Sequence, residues 1–241
     1  MIIERPGASR GQGGAGWLDS RHTFSFASYY DPAWMGFGPL RVINEDRVAP
    51  GAGFAPHRHA NMEILSYVLE GALAHRDDNG VLRQAQDERV QIIRAGELQW
   101  MGAGHGIEHS EYNGSDTEPV HFLQIWLQPD RLNAAPAYAQ RAPVGSEAQG
   151  HWALLASPDG AEGSIAIRQD ARLWVARLDA GSDIDRALVP QRRYWLQVTR
   201  GVVEAAGRTL AAGDAIGLAE EAGVLRLAAT EAAEVLLFDL P

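Results

Sequence analysis

The chain contains no cysteine, which excludes disulfides, thiolate metal sites and a cysteine nucleophile. A cysteine-free composition fits a reducing cytosol. Long apolar runs are missing too: nowhere do about 18 consecutive apolar residues occur, the length a spanning helix needs. The opening residues, Met1-Ile-Ile-Glu-Arg-Pro-Gly7, contain no apolar h-region. A soluble, cytoplasmic protein is expected. Positive charge is scarce, with 21 Lys and Arg against 31 Asp and Glu and a formal net charge of −10. Nucleic acid and anionic membrane surfaces both select basic surface, so neither is expected as a direct partner. Helical periodicity is also absent, since no amphipathic stretch of about ten residues or more competes with the strand patterns.

What the chain does contain is apolar residues, at 46% of 241, enough for one or two buried cores. Short period-2 segments follow one another closely: His22–Phe26, Leu40–Asn44, Glu63–Leu69, Ala72–Arg76, Val90–Ile93, Glu97–Met101 and Val120–Leu127. Turn signals separate them, notably Asp77-Asp-Asn-Gly80, Arg94-Ala-Gly96 and Asn113-Gly114. Between 129 and 150 the alternation lapses in a proline-containing stretch, and strands resume from Trp152 onward. Many short strands with glycine and asparagine turns indicate an all-β sandwich or barrel. The expected organisation is a first barrel over residues 1–128, a connector over 129–150 and a second barrel over 151–241. A monomer is expected.

The two halves are related. Glu63-Ile-Leu-Ser-Tyr-Val-Leu-Glu-Gly71 aligns with Arg193-Tyr-Trp-Leu-Gln-Val-Thr-Arg-Gly201, and Arg94-Ala-Gly96 aligns with Ala211-Ala-Gly213. The same offset sets Ala187 and Val189 where the first half has His57 and His59, and His151 is the sole histidine after residue 128. The second half is therefore expected to be structural.

Those two histidines carry the chemistry. Residues two apart in a strand share a face, about 7 Å apart along it, so His57 and His59 project together. His109 and Glu111 repeat the spacing. The two pairs read as halves of one mononuclear site. Three imidazoles and a carboxylate suit iron, manganese, copper, nickel, cobalt or zinc, with room left for dioxygen or a bidentate substrate. His105, between Gly104 and Gly106, reads as a loop residue. His22, His75 and His121 read as single structural histidines. Phe54, Met62, Trp100 and Met101 flank the ligands and suit either a pocket or a core.

Gly51-x5-His57-x-His59-x3-Glu63 resembles the first cupin motif, and His109-x3-Asn113 the second. The wider set is more specific. Ser20-Arg-His-Thr-Phe-Ser-Phe26, Val42-Ile-Asn-Glu-Asp46, Gly53-Phe-Ala-Pro-His-Arg-His-Ala-Asn-Met-Glu63, Leu98-Gln-Trp-Met-Gly-Ala-Gly104 and Gly106-Ile-Glu-His-Ser-Glu111 together resemble the pirin family. The second half is similar to the bacterial pirin-like quercetin dioxygenases. The resemblance implies two cupin (jelly-roll) barrels with one metal, usually iron(II), held in the first by His57, His59, His109 and Glu111. Glu63 occupies the usual cupin carboxylate position and, at i+4 from His59, is expected to face inward beside the metal. The implied activity is a dioxygenase of quercetinase type. It would open a flavonol or small aromatic enol with dioxygen and release carbon monoxide, with Glu111 or Glu63 as proton acceptor. A metal-bearing redox sensor that docks on another protein is the alternative the family allows.

Overall fold

The computed structural model describes residues 1–77 and 90–241. The strands in chain order are β1 (Ile2–Arg5), β2 (Gly11–Ala15), β3 (Leu18–His22), β4 (Leu40–Val48), β5 (Gly53–His59) and β6 (Glu63–Glu70), then β7 (Ala72–Asp77), β8 (Gln91–Arg94), β9 (Leu98–Gly102), β10 (Ile107–Asn113), β11 (Val120–Leu127) and β12 (Ala137–Arg141). They continue as β13 (Ala153–Ser157), β14 (Ile165–Ala166), β15 (Arg172–Leu178), β16 (Asp183–Leu188) and β17 (Arg193–Arg200), then β18 (Val202–Ala205), β19 (Arg208–Ala211), β20 (Ala215–Ala219), β21 (Gly223–Ala229) and β22 (Ala233–Leu240). No helix is long and apolar enough to cross a membrane among the described residues. The turn expected at Asp77–Gly80 lies, beyond Asp77, outside the described residues.

Two compact units result. One comprises Gly11–Pro143 with Ile167–Gln169; the other comprises Met1–Arg10, Val144–Ala166 and Asp170–Pro241. Each is a jelly-roll of a seven-stranded and a four-stranded sheet. In the first unit the orders are β12-β9-β6-β11-β4-β3-β2 and β5-β10-β7-β8. In the second they are β1-β20-β17-β22-β15-β13-β14 and β16-β21-β18-β19. Apart from the edge strands, the second order repeats the first, as the aligned segments require.

The edges depart from the expected boundaries. Residues 1–10 group with the second unit, because β1 pairs antiparallel with the β20 edge, from Ile2↔Leu218 to Arg5↔Ala215. The stretch expected as a connector holds β12, which pairs with β9; its five residues are too few to register as alternation between the flanking prolines. The strand expected at His22–Phe26 ends at His22, since β3 starts earlier, at Leu18.

The interiors differ. Along β6, Ile64, Ser66 and Val68 share a face, and the same apolar–polar–apolar order recurs opposite them on β11 as Trp126, Gln124 and Phe122. One apolar layer holds Val48, Val68, Leu73, Ile93, Val120 and Phe122. The other holds Ile64, Met101, Ala103 and Ile107. Between them runs a polar belt: register sets Gln99 beside Ser66, Ser66 beside Gln124 and Gln124 beside Asn44. The matching row of the second unit is Ile216, Leu196, Leu237 and Trp174, and its core is one continuous apolar cluster. Three of these four are aliphatic and the fourth is an indole, so the row stabilises the second barrel by apolar burial and carries none of the amides and hydroxyls of the first.

Candidate metal centre

β5 and β10 are adjacent antiparallel strands, with His57 opposite His109 and His59 opposite Ile107. The register slips between His109 and Glu111, where Phe54 replaces the expected partner. The extra residue falls at Ala55–Pro56, a position where proline's missing N–H is harmless. The bulge restores parity, so Phe54, His57 and His59 face one cavity of about 190 Å3 together with Glu111, Gln124 and Trp126.

The imidazoles converge. Ring centroids are 4.8 Å apart for His57 and His59, 4.4 Å for His57 and His109, and 5.0 Å for His59 and His109. One ring nitrogen from each lies within 4.8 Å of the others, a grouping that can hold a metal ion. His57 Nδ1 lies 2.8 Å from the carbonyl oxygen of Ala55; donating there leaves Nε2 as the lone-pair nitrogen. His109 Nε2 is buried with no hydrogen-bond partner among the described residues, an arrangement that is costly unless a ligand such as a metal ion completes it. Burial and the neighbouring His57 push the His59 imidazole down to about 4, against the pull of Glu111. Burial likewise pushes His109 down to about 3. Both rings are therefore neutral at physiological pH, the protonation state metal binding requires.

Glu111 is 1% exposed. Ser66 Oγ donates to its Oε1 at 3.1 Å and Gln124 Nε2 to its Oε2 at 2.6 Å. Burial raises its pKa, but the adjoining His75 and His109 imidazoles and the Ser66 hydrogen bond outweigh that and hold it at about 2. Of the four expected ligands, the structure brings His57, His59 and His109 into one group. Glu111 falls with His109 and His75 in a second group that shares His109.

His75, read from sequence as a single structural histidine, sits in this second group. It is fully buried on β7, opposite Glu111 on β10, and its Nδ1 is 3.5 Å from His109 Nδ1. Two unprotonated nitrogens repel, so one must carry the hydrogen. With a metal on His109 Nε2, that ring's Nδ1 would carry the hydrogen and donate to His75, which would orient the ring from behind. The only sequence signal was parity: His75 and Asp77 share a face of β7, as His109 and Glu111 share one of β10.

Glu63 does not face the site. The i+4 argument fails because the chain turns a corner between sheets at Asn61, whose φ is +52°, so parity is not carried from β5 to β6. Glu63 lies on the face of β6 opposite Ser66. There its Oε2 accepts from Trp100 Nε1 at 2.9 Å and from the Arg168 backbone N–H at 2.8 Å, and burial raises its pKa. Trp100 is thereby fixed away from the cavity, under the Arg168 guanidinium at 5.6 Å. Met101 and Met62 pack in the apolar layer; Phe54 alone of the four flanking residues lines the cavity. His105 is exposed in a turn, and His121 pairs with Glu45 at 2.9 Å.

The remaining walls are aromatic and polar. Trp126 packs edge-on against His59 at 4.9 Å and Phe26 at 5.4 Å, and Trp17 meets Phe54 at 5.3 Å. His22, Asn44, Ser20 and Asp46 line the side formed by β3 and β4. Here β2 must approach closely, because a Cβ on Gly13 would lie 2.5 Å from the His22 ring. In the second unit the corresponding positions are Ala187, Val189, Val224 and Arg226, by the Ala187↔Val224 register. None of them is a metal ligand.

Known proteins resemble this chain along its length. A family model described as Pirin matches residues 5–127, and one described as Quercetinase C-terminal cupin domain matches residues 154–240. A protein of Escherichia coli K12 named quercetin 2,3-dioxygenase is 43% identical over 244 residues, covering 100% of this chain and 99% of its own. A Caulobacter vibrioides protein named pirin-like protein is 40% identical over 241 residues, covering 99% of each. The crystal structure of the bacterial pirin YhhW from E. coli in complex with nickel(II) superposes with a TM-score of 0.91 at 42% identity, covering 100% of this chain and 99% of that one.

Proposed function

The chain belongs to the pirin family, and on that premise we propose that it is a metal-dependent dioxygenase that opens the heterocycle of flavonol-like aromatic enols. The ligands in this reading are His57, His59, His109 and Glu111, and the ion is iron(II). Bound there, the metal supplies Lewis acidity toward the enol oxygen and a meeting place for dioxygen. The observation that carries the reading is the group of three imidazoles, His57, His59 and His109, which shares His109 with the group of Glu111 and borders a cavity with aromatic walls.

The protein's own groups then have distinct tasks. Trp126, Phe26 and Phe54 line the cavity with aromatic edges and faces suited to a planar ring system. Glu111 accepts the proton of the enol hydroxyl. Gln124 and Ser66 aim its carboxylate, and the polar belt behind it keeps that aim fixed. Glu63, engaged by Trp100 and the Arg168 amide on the sheet's other face, takes no part. Loss of the enol proton makes the ring electron-rich enough to react with dioxygen. Both oxygen atoms enter the ester product, and the ring carbon bearing the enol oxygen leaves as carbon monoxide. A redox sensor would use the same ligands without needing the cavity, so catalysis accounts for both features.

The test is oxygen uptake and carbon monoxide release on adding quercetin to iron(II)-loaded protein, beside an authentic quercetinase. Uptake with stoichiometric carbon monoxide is expected. Neither gas changing while the control turns over would rule the activity out.

A further inference from the structure

The side of the cavity formed by β3, β4 and β11 carries polar groups that neither the metal nor Glu111 uses. Register sets His22, Asn44 and Gln124 side by side in one row, and Ser20 beside Asp46 in the next. All five line the cavity. Gln124 is committed to Glu111, and Ser20 Oγ donates to Asp46 Oδ1 at 2.5 Å.

Asn44 differs from these. It is 3% exposed, and its side-chain Oδ1 is buried with no hydrogen-bond partner among the described residues. A buried amide oxygen left unpaired is costly, and such groups are few in folded proteins. Asn44 lines the cavity, so a donor brought in by a ligand would complete it. The Asp46 carboxyl beside it offers further hydrogen-bonding capacity, with one oxygen already fixed by Ser20. Phe26 and Leu18 line the same cavity and suit the ring that would carry such a donor.

We propose that Asn44 and Asp46 form a hydroxyl-recognition subsite, which selects aromatic enols carrying additional ring hydroxyls over enols that lack them. This rests on the reading that an aromatic enol occupies the cavity. It adds the residues that read the further ring hydroxyls: a phenolic O–H donates to Asn44 Oδ1 and a second hydroxyl meets Asp46. A site built to pair a hydroxyl discriminates strongly against the analogue without it, because the buried acceptor is then left empty.

Two ligands separate the classes: quercetin, and 3-hydroxyflavone, which keeps the enol and lacks the other hydroxyls. Each is titrated anaerobically into zinc(II)-loaded full-length protein, with quenching of tryptophan fluorescence as the signal. The wild type is expected to bind quercetin at least about tenfold more tightly, and Asn44→Leu to abolish that preference by weakening quercetin about ten- to a hundredfold while leaving 3-hydroxyflavone within about twofold. Asp46→Asn, which keeps the shape and the Ser20 contact, is expected to reduce the preference in part and serves if Asn44→Leu does not fold. Equal binding of the two ligands by the wild type, binding of neither, or equal weakening of both in the variants would overturn the subsite. Oxygen uptake is scored separately on iron(II)-loaded protein. Selective binding without uptake defeats the dioxygenase reading and leaves the subsite standing; uptake without selectivity does the reverse.

Discussion

Asp46→Asn offers a quantitative test of the electrostatics of the cavity wall. Asp46 is 4% exposed. Burial pushes its carboxyl up from 3.8 to about 7; the Ser20 hydrogen bond opposes the shift, and the charges of Glu111, Glu45 and Asp19 add to it. A folded-state pKa above the unfolded one means the native state holds the proton more tightly. The associated stability is complete below about pH 4 and is lost as pH rises through about 7. Each tenfold difference in proton affinity is about 1.4 kcal/mol, so the full loss is about 4 kcal/mol. Roughly 1–2 kcal/mol of it is gone by pH 5 and nearly all by pH 8. Asparagine cannot titrate and can still accept from Ser20. The stability of Asp46→Asn relative to wild type should therefore improve by about 2–3 kcal/mol between pH 5 and pH 8. Urea unfolding of chelator-treated protein, followed by fluorescence and circular dichroism at several pH values, measures this. Other titrating groups are common to both proteins and cancel. A difference that stays flat across that range, or that moves in favour of aspartate as pH rises, would refute burial as the dominant influence on Asp46.

Further outcomes follow from the same geometry. His57→Ala and His109→Ala should each lose stoichiometric metal by elemental analysis, whereas His151→Ala, in the second half, should keep it; full occupancy in His57→Ala would end the assignment. His75→Phe should weaken metal binding about ten- to a hundredfold in a chelator competition, with His75→Asn recovering part of the loss, and unchanged affinity would remove His75 from the role of orienting His109. Glu63→Ala leaves the Trp100 indole N–H and the Arg168 amide unpaired and should cost about 2–4 kcal/mol of unfolding free energy. Its metal content should match wild type; loss of metal would return Glu63 to the ligand set.

Much of the first barrel was legible in the sequence, because its information is local. His57 and His59 declare a shared face through period-2 spacing alone, and His109 and Glu111 do so again. Ala187 and Val189 reveal the blank copy by simple alignment. What stayed hidden depends on register or on corners. Glu63 was placed by counting from His59, and the count fails where Asn61 turns the chain into another sheet. His75 becomes a neighbour of His109 only through the pairing of β7 with β10, which no spacing within one strand encodes. The polar belt is hidden for the same reason. Gln99, Ser66, Gln124 and Asn44 come from four strands far apart in sequence, and each alone looks like a stray polar residue in a buried strand. β1 was missed because its partner, β20, lies near the other end of the chain.

That last pairing bears on how such a protein can change over time. The first ten residues belong to the second unit, and Ile167–Gln169, including the Arg168 amide that Glu63 accepts from, belong to the first. Duplicated barrels of this kind share one order of strands, yet each now borrows a segment encoded beyond the other. Neither can be copied, deleted or exchanged as a single stretch of gene without stripping an edge strand or a buried partner from what is left. The half with the histidine cluster is thereby tied to its blank twin by inheritance, and new activities in this lineage are expected through substitutions on the cavity wall rather than through shuffling of whole barrels.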